Sequence, residues 1–279
     1  TAIGEIPSHV EFYSSPEAVA KEKGYLIESL PSTGFAILNR DDPNVFSLRH
    51  RTRAHVVHYG FHEESQVQIL NLEWKVEEGR FEGMIFKISY GGSLIPIRLK
   101  KAYGKPQVYA ATAAVAVGLV FGINLIKISE ALESYEPLAG RMRLIKGVKN
   151  SLILDDSYNA SPLSMQAALE TLKNLPAKRK VAILADMLEI GKYSTEAHQA
   201  IGKLTGKIVD LLFCIGPRAK FIAEEAIASG LRKENVKTFD NVEKAKKIIE
   251  QEIKNGDLIL IKGSHAMGLE KIVEEIKEE

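Results

Sequence analysis

The sequence predicts an α/β protein whose second half is a doubly wound parallel sheet and whose first half carries short buried strands and an antiparallel meander. Three observations predict this. From Ser151 onward, short continuously apolar runs alternate with helical patterns, and strands without in/out alternation are those buried on both faces of a sheet. Between Gln66 and Leu99, apolar and polar residues alternate around glycine turns, as in Met84-Ile85-Phe86-Lys87-Ile88-Ser89-Tyr90-Gly91-Gly92, the pattern of half-buried antiparallel strands. Proline and glycine crowd together at Glu136-Pro137-Leu138-Ala139-Gly140, which marks a domain boundary between the two patterns.

In the first half, Pro16–Leu30 reads as a helix. Ser14 or Ser15 can cap it, Pro16 and Glu17 suit its first turn, and Leu30-Pro31 stops it. Gly34–Leu38 is a buried strand that runs into Asn39-Arg40-Asp41-Asp42-Pro43, and Ala54–Tyr59 is a second. The meander follows, then helices over Pro106–Phe121 and Lys127–Ser134. The chain opens at Thr1-Ala2-Ile3-Gly4 without an initiator methionine, in what reads as the middle of a strand.

In the second half, strands over Ser151–Asp155, Lys180–Ala185, Asp210–Gly216, Val236–Phe239 and Asp257–Lys262 are each followed by a helix. The helices cover Pro162–Asn174, Thr195–Lys207, Arg218–Ser229, Val242–Lys254 and Met267–Lys277. This is a Rossmann-like domain of about 140 residues.

Composition narrows the function classes. The chain has 279 residues, 45% hydrophobic and 26% charged, with a net charge of +1. Those values describe a soluble globular protein with no strong field toward nucleic acid or anionic lipid. The longest apolar stretch, Val108–Ile123, is too short to span a bilayer and is interrupted by Gly118 and Gly122. Cys214 is the one cysteine, set in Leu211-Leu212-Phe213-Cys214-Ile215, so it reads as a core residue and no internal disulfide exists. With no signal peptide visible, the expectation is a cytoplasmic, reducing environment.

The most informative stretch is Asp155-Asp156-Ser157-Tyr158-Asn159-Ala160-Ser161-Pro162-Leu163-Ser164-Met165. It lies at the carboxyl end of a strand and opens a helix, where ligands bind in open α/β sheets. Helix capping by Asp156, Ser157 or Ser161 is the plainer explanation of the same residues, and it is compatible with binding. Lys262-Gly263-Ser264 ends the last strand at the same edge, and Asp186 ends a neighbouring one. His198 reads as a core or capping histidine. His55, His58 and His62 suggest a metal cluster, but His55 and His58 point to opposite faces of a strand. No Gly-x-x-x-x-Gly-Lys-Ser/Thr phosphate loop occurs in the sequence.

Four stretches make the chain similar to a known family. They are Ile3-Gly4-Glu5-Ile6-Pro7-Ser8-His9-Val10-Glu11 followed by Ala20-Lys21-Glu22-Lys23-Gly24; Leu38-Asn39-Arg40-Asp41-Asp42-Pro43; Gly140-Arg141-Met142-Arg143; and Asp155–Met165, followed by Ala185-Asp186-Met187-Leu188-Glu189-Ile190-Gly191 and ending at Lys262-Gly263-Ser264. Together they resemble the Mur ligases of peptidoglycan synthesis, and the Asp-Ser-Tyr-Asn-Ala form resembles the branch whose amine substrate is D-Ala-D-Ala. The resemblance implies an ATP-dependent, ADP-forming ligase that joins UDP-MurNAc-tripeptide to D-Ala-D-Ala through an acyl phosphate, with ATP and Mg2+ required. It implies residues 1–139 as the later part of a central ATP-binding domain and 140–279 as the C-terminal ligase domain. The phosphate loop and an N-terminal domain would lie upstream, so the chain alone is expected to be inactive. Two other readings are a non-catalytic dipeptide- or nucleotide-binding module on the same scaffold, and another Mur-like ligase such as folylpolyglutamate synthetase. The expected protein is a cytoplasmic monomer with no nucleic-acid partner and no membrane insertion.

The resemblance also implies roles. His9 would help hold Mg2+, and Lys23 (rather than its neighbour Lys21) would be the lysine that becomes a carbamate and contacts the metal. Arg141 would reach ATP phosphate as the domains close, with Arg143 the competing candidate. Asp156 and Tyr158 would contact nucleotide, and Asn39 and Asp41 could face ribose, although a turn built on Asp41-Asp42-Pro43 explains the latter pair equally well. Ser157, Asn159, Ser161, Lys262 and Ser264 would border the dipeptide pocket. Three positions depart from the family pattern: Ala185 in place of a glycine, His265 in place of an arginine, and Ala110 in place of the asparagine that reads adenine.

Overall fold

Residues 3–278 are described by a computed structural model, apart from Ser8, Ser14, Glu78 and Gly79. The chain divides into two units, Thr1–Glu136 and Pro137–Glu279.

In the first unit, helix α1 (Pro16–Glu28) starts where the Ser15 side chain accepts from the Ala18 amide and Pro16 needs no partner. Ser14, the other capping candidate, lies outside the described residues. Strand β1 (Phe35–Asn39) is followed by a short helix α2 (Pro43–Ser47), which the sequence reading omits. Asp42 caps α2 by accepting from Val45, and its other oxygen accepts from the Ile3 and Gly4 amides. Strand β2 (His55–Gly60) pairs in parallel with β1. Strands β3 (Val67–Glu77), β4 (Arg80–Tyr90) and β5 (Ser93–Leu99) form the expected antiparallel meander, and the sheet order is β1-β2-β3-β4-β5. Helices α3 (Lys105–Val120) and α4 (Leu125–Glu133) cover it, burying Val108, Ala111 and Val115 with Phe86, Ile88 and Ile97. The opening segment departs from expectation: Ile3–Pro7 form no strand, and Thr1 and Ala2 lie outside the described residues.

In the second unit, β6 (Arg143–Gly147), β7 (Ser151–Asp156), α5 (Pro162–Asn174), β8 (Lys180–Ala185), α6 (Ser194–Thr205), β9 (Leu211–Ile215), α7 (Ala219–Ala228), β10 (Val236–Phe239), α8 (Val242–Glu252), β11 (Leu258–Lys262) and α9 (Glu270–Ile276) follow in order. The strand order is β10-β9-β8-β11-β7-β6, parallel except for β6. The doubly wound fold is therefore present, with an antiparallel edge strand that the sequence reading leaves unassigned. That edge is sealed where Gly147 bridges Lys277 and the Glu278 amide donates to the Lys146 carbonyl. Helix α9 begins later than the pattern suggests, because His265–Met267 form a 3-10 turn ending at Gly268 with φ +68°. One face of the sheet buries Ile153, Ile183, Phe213, Ile259 and Ile261 against Ile249, Ile272 and Ile276 of α8 and α9. Cys214 is buried, and burial raises its thiol pKa well above the usual range.

This topology positions the site. Strand β11 lies between β7 and β8, so three strands end side by side with Asp156, Lys262 and Ala185. Among the described residues, no helix is long and apolar enough to cross a membrane.

Candidate functional site

At the end of β7 the chain turns through Asp155–Asn159 into α5. Asp155 organises that turn: its Oδ2 accepts from the Gly140 amide at 2.8 Å, and its Oδ1 accepts from the Ser157 amide at 3.2 Å and hydroxyl at 2.6 Å. The Tyr158 amide donates to the Gly140 carbonyl. Gly140 has φ +72°, and a Cβ there would stand 2.9 Å from Tyr158 Cβ, so only glycine fits. Ser157 is thus buried with its hydroxyl bonded to Asp155, which makes it a brace of the turn. Ser161 is the N-cap of α5, forming a capping box with Ser164. The Asn159 Oδ1 accepts from the Ala160 amide, which leaves its NH2 as the group it offers a ligand.

Asp156 and Lys262 close the centre of the edge. The Lys262 ammonium donates to Asp156 Oδ2 at 2.5 Å and to the Asn159 carbonyl at 2.8 Å, and Asp156 Oδ1 accepts from the Met142 amide. Asp156 is 8% exposed and Lys262 2%. Burial raises the carboxyl's proton affinity, while the lysine charge and its hydrogen bond oppose that rise. Lys262 thus reaches the crevice chiefly through what it holds in place.

Beside this pair lies an exposed stack. The Arg141 guanidinium sits 4.0 Å over the Tyr158 ring, and His265 packs on the same ring at 5.1 Å, tilted by 31°. Tyr158 remains 47% exposed, so the stack presents a cation and an aromatic face at the strand ends. Two left-handed residues, Gly140 and Met142, aim Arg141 there. Arg143 instead begins β6, paired with Asp155.

The loops after β8 and β11 are bonded together. The Ser264 amide donates to the Asp186 carbonyl, and Ser264 Oγ accepts from the Leu188 amide at 2.8 Å. The Asp186 carboxylate accepts from the Arg218 and Ala219 amides at the start of α7, and burial raises its pKa. Ala185 fills its place tightly: a Cβ on Gly263 would lie 2.7 Å from Ala185 Cβ.

In the first unit, His9 and Lys23 line one cleft with Phe12, Tyr13, Val19 and Glu22, and Lys21 is not among its lining residues. His9 adopts a left-handed φ of 66° ahead of a 3-10 turn. Asn39 ends β1 and Asp41 lies in the turn that follows. Asn39 Oδ1 accepts from the Asp41 amide, while the Asp41 carboxylate accepts from the Phe61 and His62 amides and the Tyr109 hydroxyl. Three of its about four acceptor directions are taken, so Asp41 ties β1, the turn after β2 and α3 together. His58 accepts from the Gln66 amide and His62 from Arg40, and no cluster of three or more potential metal ligands exists among the described residues. Ala110 is exposed on α3.

Sequence reasoning assigns no role to Asp155 or Gly140, while His198 is the buried core histidine expected. The glycine followed by arginine before a strand-end Asp-Asp was the available signal for the first two. The bond from the Met187 amide to His198 had no signal, because a backbone amide leaves no mark in a sequence.

A model of the Mur ligase middle domain matches residues 4–118, and one of the Mur ligase glutamate ligase domain matches residues 140–265. The UDP-N-acetylmuramoyl-tripeptide–D-alanyl-D-alanine ligase of Bacillus subtilis is 32% identical over 283 residues, covering 100% of this chain and 58% of that protein. MurF from Acinetobacter baumannii superposes with a TM-score of 0.81 at 24% identity, covering 98% of this chain and 58% of that one. MurF ligase from Thermotoga maritima, solved in complex with ADP, gives 0.79 at 24% identity, covering 96% and 58%. The chain thus spans 58% of the length of these relatives. With both of its units matched by domains of one family, and with that family's fold along nearly its whole length, this chain belongs to the Mur ligases.

Proposed function

We propose that this chain is the middle and C-terminal part of an ATP-dependent, ADP-forming ligase that joins the carboxylate of UDP-MurNAc-tripeptide to the amine of D-Ala-D-Ala in peptidoglycan synthesis. Residues 1–139 would be the later part of its ATP-binding domain and 140–279 its ligase domain. The observation that carries the reading is the edge formed by Asp156, Tyr158, Asn159 and Lys262, where buried charge holds a turn that presents an amide, an aromatic face and a guanidinium.

Each group has a chemical task. Arg141, laid on Tyr158, offers a planar cation suited to phosphate oxygens. The exposed Tyr158 face suits a nucleotide's base or ribose. The Asn159 NH2 suits a carbonyl or carboxylate of the dipeptide. Asp156 and Lys262 neutralise each other and hold the Asn159 carbonyl, so the amide stays aimed when no ligand is present.

Mg2+ is held by one or two carboxylates plus substrate phosphates and water. The cleft containing Glu22, His9 and Lys23 can provide that share of ligands, more fully once Lys23 carries a carbamate. Bound there, Mg2+ would neutralise charge on phosphate oxygens. UDP-linked and ATP substrates support a cytoplasmic setting, and the proposal takes the enzyme as a monomer.

The test is phosphate release by the protein that carries this chain. Release from ATP should require both UDP-MurNAc-tripeptide and D-Ala-D-Ala. Turnover indifferent to the dipeptide, or none with any amine, overturns the proposal.

A further inference from the structure

His198 is a fully buried side chain on α6 that the chemistry above does not use. Its two ring nitrogens have unlike partners: Nδ1 lies 2.7 Å from the Ser194 carbonyl, and Nε2 lies 2.9 Å from the Met187 amide nitrogen. A carbonyl only accepts and a backbone amide only donates. The ring is therefore neutral with its proton on Nδ1, and the bare Nε2 is an obligatory acceptor.

What His198 holds matters more than where it sits. Met187 is the second residue past β8, between Asp186, whose carbonyl accepts from the Ser264 amide, and Leu188, whose amide donates to Ser264 Oγ. Ser264 lies two residues after Lys262, and the next residue is His265 of the Tyr158 stack. A single bond from His198 thus anchors a segment that in turn fixes the turn after β11.

We infer that His198 is a positioning residue for the ligand edge: through Met187 and the 186–188 segment it keeps Ser264, and with it the turn carrying Lys262 and His265, in register with Asp156 and Tyr158. The inference deepens the ligase reading and rests on it only for its effect on substrate. The groups facing His198 are Asp186, which favours a proton on the ring, and Arg218, which opposes it together with burial. A second proton, on Nε2, would set two donors against each other and release Met187.

The test uses the protein that carries this chain, as wild type, His198→Phe and His198→Gln. In the wild type, a long-range 1H–15N spectrum should show His198 protonated at Nδ1 alone, and acid should speed exchange of the Met187 and Leu188 amides as the ring takes its second proton. His198→Phe removes the acceptor. Exchange at Met187 and Leu188 should rise about tenfold, the equivalent of one net hydrogen bond, while β9 amides keep their protection. The KM for D-Ala-D-Ala should rise by a similar factor with kcat little changed. His198→Gln, whose amide oxygen can accept, should recover part of both. Protonation at Nε2, unchanged Met187 exchange, or loss of protection spread equally into β9 overturns the inference. If His198→Phe does not fold, the wild-type spectrum and the glutamine variant decide it. Absence of dipeptide-dependent turnover in the wild type counts against the ligase reading, and the tautomer and exchange data still judge His198.

Discussion

Replacing Lys262 by methionine tests the centre of the edge most directly. Methionine keeps an apolar stem in the same space but removes the ammonium that donates to Asp156 at 2.5 Å and to the Asn159 carbonyl at 2.8 Å. The side chains of Lys262 and Asp156 are 3% and 11% exposed, so the orphaned carboxylate has little access to water. Breaking such a buried pair costs about 3–5 kcal/mol. The only tryptophan, Trp74, lies in the other unit on β3, so fluorescence would miss the change. Amide exchange within β7 and β11 is the suitable readout. At about 1.4 kcal/mol per factor of ten, protection there should fall by about two to four orders of magnitude. The pH dependence carries a sign. Removing the lysine raises the Asp156 pKa further in the folded state, so the variant regains stability as pH falls through that raised value and loses it as pH rises. Asp156→Asn in the same chain should relieve most of the loss. A loss below about 1 kcal/mol that is also independent of pH would refute the buried-pair reasoning.

Three further predictions follow from other contacts. Gly140→Ala places a Cβ against Tyr158 at φ +72°, which should cost about 1–3 kcal/mol in thermal unfolding of the second unit and weaken ADP binding by loosening Arg141; an unchanged melt and affinity would count against the turn's role. Asp41→Ala leaves the Phe61 and His62 amides and the Tyr109 hydroxyl unpaired, for a loss of about 1–3 kcal/mol read by Trp74 fluorescence. Tyr109, which burial and its bond to Asp41 now hold above its ordinary 10.0, should then titrate closer to that value. Burial lowers the His198 pKa below its ordinary 6.5, so the unfolded chain binds the proton first. The stability difference between wild type and His198→Gln should therefore be largest above pH 6.5 and shrink as pH falls below it; a pH-independent difference would contradict the neutral ring.

Elements with local determinants were legible in the sequence. Ser161, Pro162 and Ser164 define the start of α5 within four residues, and Pro162–Asn174 is both the expected and the observed helix. Strand β8 likewise matches, because the unbroken apolar run Val181–Ala185 needs no distant partner to be read, and β10, half polar itself, matches through its place between two helical patterns. Strand β6 was not legible: Arg143–Gly147 is short, half polar and at an edge, and only its pairing with β7 makes it a strand. Within the site, the polar residues ending β7 and β11 stood out against apolar strands. Their pairing did not, since Lys262 and Asp156 are 106 residues apart, and the sequence reading gave both a ligand rather than each other. Asp41 has partners 20 or more residues away, the Phe61 and His62 amides and the Tyr109 hydroxyl, which leave no mark in a sequence, whereas Ser157 bonds the Asp155 carboxylate only two residues away.

The place of β11 has a consequence for how the second unit comes into being. Among the described residues, 258–262 form the last strand in chain order, yet they fill the middle of the sheet between β7 and β8. Until they arrive, β7 and β8 have no common neighbour and each keeps an open side. On a ribosome the earlier strands must therefore wait, exposing unpaired backbone of the kind that invites association between chains. A late stop codon before Leu258 would not trim the domain but split its sheet in two, so such a product should be insoluble or degraded.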